Sequence, residues 1–186
     1  MPGSGVARER LGLDGFNGLT DRQRMNLLFG VCSSTIWARR VLAGGPFRDA
    51  DALLDRADRV LAELPEGELD AALDGHPRIG AKVDNASSAR EQASVSTAAD
   101  SVKVALAAKN REYDDKFGYV YLVCASGRSA DELLAILTER LDNDSDTERR
   151  VMRSELAKIN RLRLERLLSE PPVGLGERSD GGWGAG

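Results

Sequence analysis

The sequence predicts an all-α fold, a compact multi-helix single domain, and three observations lead there. Ala and Leu are abundant while aromatics make up 5% of the 186 residues, which favours helices packed by aliphatic side chains over sheets. Apolar residues recur at helical intervals along most of the chain. The run "FGYVYLVCASG" at 117–127 has the β-branched and aromatic enrichment of a strand, yet no second run of that kind exists to pair with it.

The elements follow in order. Residues 1–14 are rich in Gly and Arg without helical periodicity and read as a flexible N-terminus. A helical domain over 15–169 comes next. Thr20 and Gln23 have the capping-box spacing, and Leu27, Leu28, Val31, Trp37 and Val41 continue one helix to about Ala43, where Gly44, Gly45 and Pro46 stop it. A second helix runs from about Asp49 to Glu63, with Leu53, Leu54, Ala57, Val60 and Leu61 on one side and Pro65 at its end. A short third one spans 66–73. From about Ser87 to Lys109 the pattern is a long Ala/Ser/Val-rich helix with a break near 94–97, where hydroxyl and β-branched residues crowd. The 117–127 run is then a buried extended segment. Ser129 with Glu132 caps a helix through Leu141, and Ser145 with Glu148 caps the last one, which carries Val151, Met152, Leu156, Ile159, Leu162 and Leu167. That makes six to eight helices. Residues 170–186 end in "PPVGLGERSDGGWGAG", a disordered tail.

Composition excludes several functions. A net charge of -4, from 26 basic and 30 acidic residues, supplies no electrostatic footprint for nucleic acid. No apolar run reaches the ~20 residues of a membrane span, and "MPGSGVARERLGLDGF" lacks a signal-peptide core, so a cytoplasmic protein is expected. Cys32 and Cys124 lie far apart and read as buried free thiols, with neither a disulfide nor a metal site. No GxGxxG or GxxxxGK[ST] phosphate loop is present, which leaves chemistry without a cofactor.

Three polar features remain. The single histidine, His76, sits in "DGHPRIGAK", where Pro77 restricts its backbone, and its ordinary pKa near 6.5 suits proton transfer. It is either a structural histidine at a helix end or an acid/base group. In "SSAREQ", Ser88 and Glu91 share a helix face beside Gln92. They read as a capping box, as pocket residues, or as both. The last helix carries Arg161, Arg163 and Arg166. Arginines on a helix are mostly solvated, but Arg163 is flanked by Leu162 and Leu164 and is the group type that grips a carboxylate at two points. A His, a Glu and an Arg together suit an anionic, hydrogen-bond-rich small molecule.

"FNGL" (16–19), "CSSTIWA" (32–38), "HPRIG" (76–80), "SAREQ" (88–92), "NREYDDKFG" (110–118) and "KINRLRLERL" (158–167) together resemble the 2-oxo-4-hydroxy-4-carboxy-5-ureidoimidazoline (OHCU) decarboxylases of urate degradation. The likeness covers about residues 16–168, and the order and spacing of the blocks make it specific. It implies an all-helical homodimer, a carboxy-lyase that needs no metal or organic cofactor and releases (S)-allantoin and carbon dioxide from OHCU. By the same resemblance His76, Glu91 and Arg163 are catalytic, with Glu91 orienting His76 through a hydrogen bond and raising its pKa. Pro77, Ser88 and Gln92 line the pocket, and Tyr121, Leu122, Val123, Cys124 and Ala125 offer backbone hydrogen bonds.

Two blocks depart from the family pattern. "GGPF" at 44–47 lacks the arginine that often precedes its Pro-Phe pair, and "FGYVY" replaces a phenylalanine-rich run. The ending "GWGAG" is not a peroxisomal address, and the preceding hydrolysis step is expected on a separate chain. Two alternatives stay open. One is a non-catalytic helical module that binds a ureide or purine derivative and would not need His76. The other is a structural interaction domain built on the Leu-rich last helix, which an exposed apolar stripe would reveal.

Overall fold

The structure, a computed structural model, describes residues 10–80 and 86–170. Most of the expected flexible N-terminus and nearly all of the expected tail therefore lie outside the described residues. Within them the chain forms ten α-helices and no strand. They are α1 (Gly12–Gly18), α2 (Asp21–Cys32), α3 (Thr35–Leu42), α4 (Ala50–Ala62), α5 (Glu66–Asp74), α6 (Ala86–Glu91), α7 (Ala93–Ser96), α8 (Asp100–Phe117), α9 (Ala130–Arg140) and α10 (Ser145–Ser169).

Several differences from the sequence reading have physical causes. Helix α1 begins at Gly12, inside the stretch read as lacking helix. The single helix expected over 20–43 is two. Ser33 takes a left-handed φ of 54°, and the Ser34 hydroxyl then caps α3 by accepting from the Trp37 N–H at 3.1 Å. Two adjacent serines thus end one helix and start another. The Ala/Ser/Val-rich helix breaks near the expected place, into α6, α7 and α8, but α8 continues past Lys109 to Phe117. The Ser145/Glu148 capping box is absent. Asp144 caps α10 through the Thr147 N–H, and Glu148 is fully buried. A D-x-x-T cap lies one residue before the S-x-x-E pattern, and it wins. The capping boxes of Thr20 with Gln23 and of Ser129 with Glu132 both form.

The core has two parts. One gathers the expected inner face of α4 with Trp37, Leu69, Leu73, Met152, Leu156, Ile159 and Leu164, and Trp37 Nε1 donates to the Ala57 carbonyl across α3 and α4. The other packs Leu106 and Tyr113 of α8 against Leu133 and Leu137 of α9. Between the two runs the extended segment expected at 117–127, of which 120–125 is extended and 121–125 buried throughout. Leu122 and Cys124 enter the first part, and Tyr121, Val123 and Ala125 enter the second. That alternation is the two-residue period of extended backbone, with both faces buried.

A buried ionic network pins this segment. Glu148 accepts from the guanidinium of Arg140, from the Tyr113 hydroxyl and from Asn143 Nδ2, and Arg140 Nη1 donates to the Leu122 carbonyl at 2.7 Å. On the last helix, Glu155 accepts from the Cys124 N–H at 2.8 Å. Both cysteines are free and buried. The large apolar side chains that stand exposed among the described residues are Phe29 and Val104, neither on α10, so the apolar stripe of an interaction helix is not found there. No described helix is long and apolar enough to cross a membrane.

Candidate active site

His76 follows α5 directly. Gly75 caps that helix with an ordinary negative φ, and its smallness is required by close approach: a Cβ there would stand 2.7 Å from the Cβ of Ser33. The turn between α2 and α3 therefore packs straight onto the residue before the histidine. After Pro77, Gly80 takes a φ of 84° that favours glycine, and the loop is held from two sides. Asn110 Nδ2 donates to the Ile79 carbonyl at 3.1 Å, and the Gly80 N–H donates to Gln92 Oε1 at 2.9 Å. Arg78 also pairs with Asp114 on α8. "HPRIG" is thus a clamped loop on the end of a rigid helix.

The imidazole of His76 is buried, 8% exposed, with Nδ1 at 2.9 Å from the Ala72 carbonyl and Nε2 at 3.5 Å from Nη1 of Arg163. A carbonyl only accepts, so Nδ1 carries the proton and Nε2 presents its lone pair. Burial holds the pKa below the ordinary histidine value, and the positive charge of Arg163 pushes the same way. The Ala72 hydrogen bond and Glu91 oppose them without prevailing. His76 is therefore a neutral base near neutral pH.

This corrects the expectation of a Glu91–His76 hydrogen bond and of a raised pKa: the charge of Glu91 does pull the pKa upward, but burial and Arg163 outweigh it. Glu91 instead forms a two-point pair with Arg163, Nε to Oε1 and Nη2 to Oε2, each at 2.9 Å. Arg163 completes its contacts with the Val31 carbonyl at 3.0 Å and the Ser88 hydroxyl at 3.4 Å. The guanidinium, carried by α10, contacts both the histidine that follows α5 and the carboxylate at the end of α6. Ser88 lies within α6, buried, with its hydroxyl toward Arg163, so it is not the capping residue of that helix. Gln92 acts through the loop contact above.

The structure thus brings His76, Glu91, Arg163, Ser88 and Gln92 together. In the 121–125 segment, the Leu122 carbonyl and the Cys124 N–H, both expected to face substrate, are already engaged by Arg140 and Glu155. Asn110, Glu155 and the Val31 and Ala72 carbonyls were missed. Side-chain type could have flagged Asn110, which lies in a quoted block, but no sequence signal marks a backbone carbonyl as a ligand. A cavity of about 330 Å³ reaches His76 and is walled by Leu73, Asp74, Arg78, Asp114, Gly118, Tyr119 and Val120, without Glu91 or Arg163. No cluster of three metal-ligating side chains occurs among the described residues.

Residues 17–165 match the family model described as OHCU decarboxylase. A uric acid degradation bifunctional protein of Arabidopsis thaliana is 30% identical over 75% of this chain and 45% of its own length. A 2-oxo-4-hydroxy-4-carboxy-5-ureidoimidazoline decarboxylase of Haloferax volcanii is 26% identical over 86% of this chain and 98% of its own. The chain spans less than half the length of the bifunctional relatives, 45% of the Arabidopsis protein and 32% of one from a Bacillus strain. Among solved structures, a crystal structure of OHCU decarboxylase in the presence of (S)-allantoin superposes with a TM-score of 0.70 at 26% identity. It covers 82% of this chain and all of the other.

Proposed function

Since this chain belongs to the OHCU decarboxylase family, we propose that it converts OHCU into (S)-allantoin and carbon dioxide in urate degradation, with no metal or organic cofactor. The reading extends to a cytoplasmic homodimer whose working unit is about residues 15–169. The observation that carries it is the placement of Arg163. One edge of the guanidinium holds Glu91, while the N–H groups directed at Ser88 and at Nε2 of His76 make long contacts of 3.4 and 3.5 Å. A substrate carboxylate taking those donors lies beside the neutral nitrogen of His76.

The chemistry then follows from the protonation state. His76 Nε2 accepts the proton of the substrate's hydroxyl. The electron pair of the breaking bond to carbon dioxide moves into the ring C=N, whose nitrogen takes a proton from solvent. The imidazolium returns its proton to the neighbouring ring carbon, and the hydroxyl carbon becomes a carbonyl. Delivery from one fixed face yields one enantiomer, and general acid–base work of this kind is worth about 10²- to 10⁴-fold in rate. Pro77 and Gln92 keep the histidine loop in place. In the extended segment, the backbone groups of Tyr121 and Val123 and the N–H of Ala125 are the proposed substrate contacts, the Ala125 carbonyl being taken by the Arg128 N–H at 3.1 Å.

The test is circular dichroism of OHCU generated in the cuvette from urate by the two upstream enzymes, with wild type, with His76→Ala and without protein. Rapid growth of a stable (S)-allantoin signal that the variant fails to give supports the assignment. If wild type leaves the spontaneous course unchanged but binds (S)-allantoin, the protein is a ureide-binding module instead.

A further inference from the structure

The ionic accounting of the site does not close with Arg163 and Glu91. Their charges cancel, and His76 is neutral, so these residues alone offer an anionic ring no net positive charge. Bringing an unbalanced carboxylate into such a buried place is costly. Three residues further along α10, and so on the same face, stands Arg166. Its Nη1 is shielded from solvent, has no hydrogen-bond partner, and lies 3.6 Å from Glu91 Oε1, the oxygen that also accepts from Arg163 Nε at 2.9 Å. The neighbouring cation Arg90 is balanced by Glu170 at 2.7 Å, which leaves Arg166 as the surplus charge among the described residues of this corner.

We propose that Arg166 is a positioning residue for the decarboxylation: it holds Glu91 from the side away from His76 and supplies the positive charge that remains once Arg163 and Glu91 have cancelled, so that the site prefers an anionic ureide ring to a neutral one. The inference rests on the decarboxylase reading. Substrate carries a carboxylate and product does not, so the same surplus charge favours loading of substrate and release of (S)-allantoin. It also persists after carbon dioxide departs, when the negative charge has moved into the ring.

The test compares wild type, Arg166→Met and Arg166→Lys by initial rates of (S)-allantoin formation from OHCU, with added (S)-allantoin as the neutral competitor. Loss of one nearby, partly screened charge should raise KM for OHCU about tenfold in Arg166→Met. The inhibition constant of (S)-allantoin should stay within about twofold, and Arg166→Lys should recover most of the wild-type KM, because a fixed positive charge matters more here than fork geometry. If the Met variant matches wild type, or if both variants lose affinity for OHCU and (S)-allantoin alike, the assignment of Arg166 is overturned while the decarboxylase stands. A wild-type protein without activity on OHCU overturns both.

Discussion

Arg163 holds both carboxylate oxygens of Glu91 at 2.9 Å while its Nη1 lies 3.5 Å from Nε2 of His76, so one guanidinium touches both the carboxylate and the histidine. The positive charge of that guanidinium and the negative charge of Glu91 act on the histidine with opposite signs, which makes the arrangement measurable.

Arg163→Met removes a positive charge beside His76 and should raise its pKa, whereas Glu91→Gln removes a negative one and should lower it. The chain has one histidine, so imidazole resonances in a two-dimensional NMR titration need no assignment. Shifts of the same sign in both variants would mean that the three groups do not share one site. Both variants should also lose activity, Arg163→Met by about 10²- to 10³-fold as for other lost charge-stabilising donors.

The depressed pKa of His76 also sets a pH window. Activity that needs the neutral ring should be full at pH 7 and should fall only below the ordinary histidine value of 6.5. Stability has the same sign. The unfolded chain takes up its histidine proton first, so stability is intact above pH 6.5 and is lost as pH falls toward the lower folded value. A log kcat/KM profile and urea midpoints at several pH values check the two limbs. His76→Ala should flatten the histidine part of the stability slope, and an acid limb above pH 6.5 would contradict the neutral-base assignment.

Glu148 joins three elements, receiving bonds from Arg140 of α9, Tyr113 of α8 and Asn143, with no exposure to solvent. Glu148→Ala leaves the Arg140 guanidinium buried and uncompensated, which typically costs about 3–5 kcal/mol. Urea unfolding measures that loss. Arg140→Ala should be similarly costly and should in addition free the Leu122 carbonyl, so hydrogen exchange across 121–125 should quicken more in that variant than in other variants of equal stability.

Most helices were legible because periodicity, capping residues and Gly/Pro stops agree locally, as in α4 and α9. Glu148 was misread for the same local reason. Ser145 and Glu148 fit the capping pattern, and nothing nearby in sequence shows that Arg140 and Tyr113 converge on that carboxylate. The site residues were legible by type and by the family blocks, but their pairing was not. Glu91 and Arg163 are 72 positions apart, and whether Glu91 meets the histidine or the arginine depends on where α10 crosses. Packing also explains blocks that touch no substrate. Asn17 of "FNGL" bonds both backbone groups of Phe47, at 2.8 and 3.0 Å, fixing the "GGPF" loop.

The contact between Gly75 and Ser33 gives the last prediction. A Cβ at Gly75 would lie 2.7 Å from the Ser33 Cβ and 2.8 Å from its Oγ; the Oγ can rotate away, but the Cβ is fixed to the backbone and cannot yield by a rotamer change. Gly75 has a φ of -77°, so Gly75→Ala carries no backbone strain, and its whole effect is overpacking, typically about 1–3 kcal/mol. The displacement falls on the residue before His76, so kcat should drop together with stability. Ser33 has a φ of 54°, a conformation glycine adopts freely. Ser33→Gly removes the opposing Cβ and should be mild alone. The double variant should regain most of the stability and rate lost in Gly75→Ala, a non-additivity that a double-mutant cycle reads directly. Additive losses in the cycle would show that the turn between α2 and α3 does not set the position of the histidine.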